Sequence, residues 1–141
     1  MKRKSQKYNI DNFLEEYPQF SQQNVEIWID EQNSKEIKTF LTSKKKNGGF
    51  RHEKRFKIIL WKILIGQYED EIYGSEKMSE KSKNVTAMKF KDDNNTRIYC
   101  KEIYQNGKKI IMIVKYSKKV NKNDKRIKTL VDNIGGYEYD F

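Results

Sequence analysis

Hydrophobic and polar positions along this chain fall into runs of two different periods. In Val25–Asp30, VEIWID, apolar residues alternate, so Val25, Ile27 and Ile29 share one face of a strand. From about Ser34 to Lys45 the spacing becomes that of a helix, with Ile37, Phe40 and Leu41 on one stripe, and Asn47-Gly48-Gly49 breaks it. A second helix is predicted over about Arg51–Gln67. Phe56, Ile59, Leu60, Ile63 and Leu64 form its apolar face. Ile58, Trp61 and Ile65 widen that face enough to imply burial on more than one side. Residues 68–83 have no clear period and read as a long loop carrying part of a helix.

Strand periodicity then returns. Val85–Lys91 places Val85, Ala87 and Lys89 on one side and Thr86, Met88 and Phe90 on the other, and residues 92–95 form a turn. Arg97–Tyr104 and Lys109–Tyr116 are joined through Gln105-Asn106-Gly107-Lys108, a strong hairpin signal. Ile110–Val114 is continuously apolar, as a strand covered on both faces should be. A last helix is capped by Asn123 or Asp124, buries Ile127, Leu130, Val131 and Ile134, and ends at Gly135-Gly136. Ahead of these elements, residues 1–9 read as a polar flexible arm. Asp11 caps a short helix through Glu16, with Phe13 and Leu14 packing inward, and Pro18 stops it. There are no internal repeats.

The order is strand, two helices, three strands and a helix. It predicts an α+β fold with a small, mainly antiparallel sheet flanked by helices over residues 25–134. An N-terminal arm and short helix occupy 1–24, and an acidic aromatic tail, GGYEYDF, occupies 135–141. At 141 residues a single domain is expected.

Charge changes the picture more than composition does. Lys and Arg number 30 against 20 Asp and Glu, a net charge of +10. The excess sits in two blocks, Ser43–Lys57 and Lys115–Thr129, each with seven cations and one acid. Two basic blocks suit a polyanionic partner: nucleic acid, an acidic membrane face or an acidic protein. The competing reading is a lysine-rich bias on a solvated surface. One cysteine, Cys100, excludes an intrachain disulfide and a multi-cysteine metal site, and its strand context suits a small buried hydrophobe. One histidine, His52, excludes a two-histidine ribonuclease mechanism. It reads as helix-start surface. No apolar run approaches membrane-spanning length, and the composition fits a reducing cytoplasm.

Residue detail in the C-terminal third carries a resemblance. The first strand opens Arg97-Ile98-Tyr99, the second holds Ile110–Val114, and Tyr116-Ser117-Lys118-Lys119-Val120-Asn121-Lys122 leads to Asn123-Asp124 at the helix start. Lys89 stands in the preceding strand. This pattern resembles the RelE/HigB superfamily of toxin–antitoxin toxins, in particular its HigB-like, phage-related branch. The match is residue-specific over about 85–124 and extends over 25–134 in element order. Val120 and Asn123-Asp124 depart from the family's usual Thr and Pro-containing segment, and the loop 68–83 and the tail are additions.

The resemblance implies metal-independent, cofactor-free cleavage of mRNA, often on the ribosome, by a cytoplasmic toxin neutralised by an antitoxin. It also implies roles. Arg97 forks onto phosphate oxygens, Lys118 and Lys119 add stabilisation or move a proton, and Tyr116 stacks on a base or shares proton transfer. Lys89, Lys115 and Lys122 hold the RNA backbone.

Other readings of the same residues stay open. Arg97 can pair with Glu102 or Asp92 at the surface. The lysine cluster can be a solvated edge that deters strand pairing. Tyr116 can be a rim residue of the core. Asp92-Asp93 looks like a metal pair but lacks a third ligand. The tail can mimic RNA in a cationic groove, or be a disordered terminus. A non-catalytic ParE-like or phage-derived module, binding a host protein or nucleic acid, is the alternative function. A diffuse electrostatic binder of DNA or membrane is the third.

Overall fold

The computed structural model describes residues 2–16, 24–43, 51–91, 95–118 and 125–141. Strands are β1 (Arg3–Lys7), β2 (Val25–Asp30), β3 (Tyr73–Ser75), β4 (Val85–Lys89), β5 (Thr96–Gln105), β6 (Lys108–Lys118) and β7 (Tyr139–Asp140). Helices are α1 (Asp11–Glu16), α2 (Ser34–Thr42), α3 (Arg51–Leu64) and α4 (Lys125–Gly135). All seven strands join one sheet in the order β3-β4-β5-β6-β2-β1-β7. Pairing is antiparallel except for β2 with β6 and β1 with β7. The protein is therefore α+β with a mostly antiparallel sheet, and the sheet is larger than the sequence pattern predicts.

The hairpin forms where the sequence places it. Gln105 faces Lys108, so Asn106-Gly107 is a two-residue loop, and both residues have positive φ, +52° and +76°. That is the type I′ geometry whose twist matches the strands it joins, and glycine supplies its second position at no steric cost.

Alternation sorts the side chains onto two covered faces. Ile27, Ile29, Ile98, Cys100, Ile111 and Ile113 meet α2 and α3 through Ile37, Leu41, Phe56, Ile59, Leu60 and Ile63. Val85, Ala87, Tyr99, Met112 and Val114 meet α4 through Ile127, Val131 and Ile134. A strand buried on both sides cannot alternate, which explains the unbroken apolar run Ile110–Val114 in β6. The predicted α3 face is buried as expected, but Ile58 and Trp61 are 40% and 37% exposed, so α3 has one buried side, not two. Burial pushes the Cys100 thiol pKa up, which makes it an inert core residue.

Three regions differ from their sequence-level reading. The polar arm supplies β1, the long loop supplies β3 and a short 3-10 turn at Glu80–Ser82, and the tail supplies β7. β3 forms by antiparallel pairing with β4, and the two terminal strands share one joint. Asp30 is fully buried. Its Oδ2 accepts from Arg3 Nε at 2.7 Å and from the Tyr139 hydroxyl at 2.7 Å, and its Oδ1 accepts from the Asn33 backbone N–H at 3.2 Å. The Arg3 guanidinium also lies 4.1 Å from the centre of the Tyr137 ring. Both terminal strands are thus fixed to the end of β2. Gly135 permits a close approach on the same side, because a Cβ there would meet the Lys81 carbonyl oxygen at 1.8 Å. The predicted breaks at Pro18 and Asn47–Gly49 and the helix caps at Asn123 and Asp124 lie outside the described residues. Among the described residues no helix is long and apolar enough to cross a membrane.

Candidate nucleic-acid interface

The cations gather at one end of the sheet because of register. Lys89 closes β4, Arg97 lies opposite it near the start of β5, and Ser117 lies opposite Arg97 near the end of β6. One residue on, Thr96 faces Lys118. Residues of the first basic block reach the same end: Arg55 on α3 donates from Nε to the Lys89 carbonyl at 3.0 Å.

The sheet separates these residues into two groups. Side chains in neighbouring rows point to opposite faces. Lys89 and Arg97 share the α4 face with Ala87 and Tyr99, whereas Tyr116 packs on the α2/α3 face. Lys118, two residues beyond Tyr116, falls on that same face and is exposed, with no side-chain partner among the described residues. The structure therefore brings Arg97 to Lys89 and Tyr116 to Lys118, but not the first pair to the second. Lys115 is held by Glu36 of α2, Nζ to Oε1 at 3.0 Å. Lys119, Lys122 and the Asp92-Asp93 pair lie outside the described residues, and among the described residues no three metal-ligating side chains cluster.

Arg97 is not paired with Glu102. Its Nη1 donates to Glu76 Oε1, an acid just after β3, and the two side chains are 20% and 7% exposed. Glu102 instead takes Lys109 Nζ at 3.1 Å and the Tyr73 hydroxyl at 2.8 Å. Burial lowers the Lys109 pKa but the Glu102 partnership outweighs it, and the net shift is upward. Arg97, Lys89, Lys91, Asp70 and Glu71 line a cleft of about 200 Å³, and the Lys89 ammonium donates to the Asp70 carbonyl oxygen at its rim.

On the other face, three rings stack. Phe40 of α2 lies 4.8 Å from Tyr116 at an interplanar angle of 11°, and 4.1 Å from His52 of α3 at 26°. Phe90 supports the stack edge-on, 5.2 Å from Phe40 and 5.9 Å from His52. Ser43 Oγ lies 3.1 Å from His52 Nδ1. His52 is therefore part of an aromatic assembly and not merely helix-start surface. Through Phe40 the two basic blocks, one holding His52 and the other Tyr116, meet.

Sequence reasoning missed Glu76, Phe40, His52 and Phe90 as members of this end. Only His52 carried a signal, as the lone histidine inside a basic block. In comparisons with known proteins, no protein-family model, no curated protein and no solved structure matches the chain.

Proposed function

We propose that this protein is a toxin-like endoribonuclease of the RelE/HigB kind, acting on mRNA in the cytoplasm in association with the ribosome and neutralised by an antitoxin protein. The observation that carries the reading is that Arg97, Lys89, Lys118, Arg55 of the first basic block and a ring stack lie at one end of the sheet. A single-stranded polyanion with flat bases is the partner that needs both features. The order from β2 to α4, a strand, two helices, strands and a helix, supports the family resemblance, with β3 as an addition.

The reaction as proposed needs no metal. A ribose 2′-oxygen attacks the adjacent phosphorus, the 5′-oxygen leaves, and negative charge builds on the phosphoryl oxygens between. Arg97 answers that charge. Only Nη1 is engaged by Glu76, and the rest of its fork has no partner among the described residues, so it can donate to phosphate oxygens while Glu76 fixes its direction. Lys118 and Lys119 add positive charge or carry a proton, Tyr116 stacks or assists proton transfer, and Lys89, Lys115 and Lys122 hold the backbone.

A second reading, a non-catalytic ParE-like binder, is favoured by one observation: Arg97 and the Tyr116–Lys118 pair lie on opposite faces of the sheet. Single-turnover cleavage of ribosome-bound mRNA separates the two. Under the first reading wild type cleaves and Arg97→Ala slows cleavage by roughly 10²–10³-fold, as loss of one preorganised donor does. Cleavage that persists undiminished in Arg97→Ala and Lys118→Ala removes these residues from the chemistry. Wild type that is toxic but does not cleave selects the second reading.

A further inference from the structure

The ring stack differs in kind from the core beside it. Phe56, Ile59, Leu60 and Ile63 are all but fully buried, while Tyr116, Phe40 and His52 each keep part of their surface in solvent. Aromatic rings filling a core often meet edge to face, as Phe90 meets Phe40. Here two successive pairs run nearly parallel, and all three rings are only part-buried at the basic end. Each ring is set by a different element: Tyr116 by β6, Phe40 by α2 and His52 by α3, with Ser43 against the imidazole Nδ1. Such a platform is rigid before any ligand arrives, so little ordering entropy is lost on binding.

We propose that Tyr116, Phe40 and His52 form a stacking platform for an unpaired purine base, with Lys118 taking a neighbouring phosphate. This rests on the RNA reading above and specifies its substrate as single-stranded and purine-containing. Same-face residues two apart on a strand lie about 7 Å apart, so Lys118 stands within reach of the backbone of a nucleotide seated on Tyr116. A base inside a duplex has both faces covered by its neighbours and cannot use the platform, whereas an unpaired base can. A purine presents the larger face and stacks more strongly than a pyrimidine.

The test uses the full chain with three probes: oligoadenylate carrying one 2-aminopurine, oligouridylate, and an adenine–uracil duplex of equal length. Wild type is expected to bind oligoadenylate more tightly than either alternative, with a change in 2-aminopurine emission. Tyr116→Leu should lose roughly 5- to 150-fold in oligoadenylate affinity and the emission change with it. Tyr116→Phe should retain both, because the ring remains. His52→Leu probes the other end of the stack without touching the sheet, and should weaken oligoadenylate more than oligouridylate. Lys118→Ala should weaken both oligonucleotides alike. Wild-type affinity and emission in Tyr116→Leu and His52→Leu, or equal binding of the duplex, would overturn the platform while leaving RNA binding in place. Failure of wild type to bind any of the three would overturn the RNA reading itself.

Discussion

Arg3 and Arg97 each meet a carboxylate on this sheet, and both side chains are 20% exposed, yet the pairs are built differently. Asp30, the partner of Arg3, is fully buried and uses both oxygens on three donors drawn from β1, from the turn after β2 and from β7. Its hydrogen bond is the main cause of the raised Arg3 pKa. The Tyr139 phenol is pushed up as well, first by burial and then by its bond to Asp30. Both oxygens of Asp30 are thus spent inside the fold, although Arg3, like Arg97, gives its carboxylate a single guanidinium nitrogen. The Arg97–Glu76 pair uses one nitrogen of the guanidinium and stands on a cleft. Identical chemistry thus ties three segments of the fold together in one place and sets one guanidinium beside a cleft of mixed charge in the other. The distinction lies in the carboxylate, since Asp30 is fully buried and gathers donors from three separate segments, not in residue type.

The largest effect should come from breaking the closed joint. Asp30→Ala leaves the Arg3 charge and the Tyr139 hydroxyl without their acceptor, and removing one partner of a buried pair costs about 3–5 kcal/mol. Tyr139→Phe deletes a single hydrogen bond and should cost about 1 kcal/mol. Urea unfolding measures both. If Asp30→Ala costs no more than Glu76→Gln, the contrast between the pairs collapses.

Opening the second pair should act more on binding than on stability. Glu76→Gln is expected to cost about 1–2 kcal/mol in unfolding, since Arg97 keeps solvent contact. It also loosens the hold on Arg97 Nη1, because a neutral amide oxygen accepts more weakly than a carboxylate. RNA affinity should rise several-fold, and its dependence on salt should steepen by about 0.7 in log–log slope for each added contact to a single strand. An unchanged slope would mean that the nitrogen held by Glu76 adds no phosphate contact when that hold is weakened.

How much of this was legible in sequence follows from the range of each signal. The alternation of Val25, Ile27 and Ile29, the helical stripe of α3 and the Asn106-Gly107 turn are local patterns, and each forms as read. β1, β3 and β7 read RKSQK, YGS and YD, which carry no alternation, and they are strands only because neighbours supply their hydrogen bonds. Ile58 and Trp61 look like core because apolar character reveals nothing about how many layers cover a helix. Arg97 and Lys118 stand out on their strands, but their separation onto two faces depends on Arg97 pairing with Ser117 and Thr96 with Lys118. A shift of one residue would reverse it. The Glu76 contact and the Phe40 stack join residues from separate elements and have no local signature.

A third carboxylate calibrates both pairs from the exposed end of the scale. Glu26 on β2 accepts from Lys108 Nζ at 2.9 Å and from the Trp28 indole N–H at 3.0 Å, with Lys7 Nζ at 3.5 Å. Those bonds, Lys108 first, bring its carboxyl pKa down to about 2. The unfolded chain titrates near 4.3, about the ordinary value for Glu. Because the folded value is the lower one, the stabilisation is complete above the unfolded pKa and drains away as pH falls from about 4.3 through 2. Lys7 and Lys108 are more than half exposed, so solvent screening holds the contribution to under about 1 kcal/mol. The stability difference between wild type and Glu26→Gln, followed by urea unfolding from pH 7 to pH 2, should therefore begin small and vanish at the acid end. Added salt at pH 7 should reduce it too. A difference that stays constant down to pH 2 would mean that packing around Trp28, not charge, holds this end of the sheet.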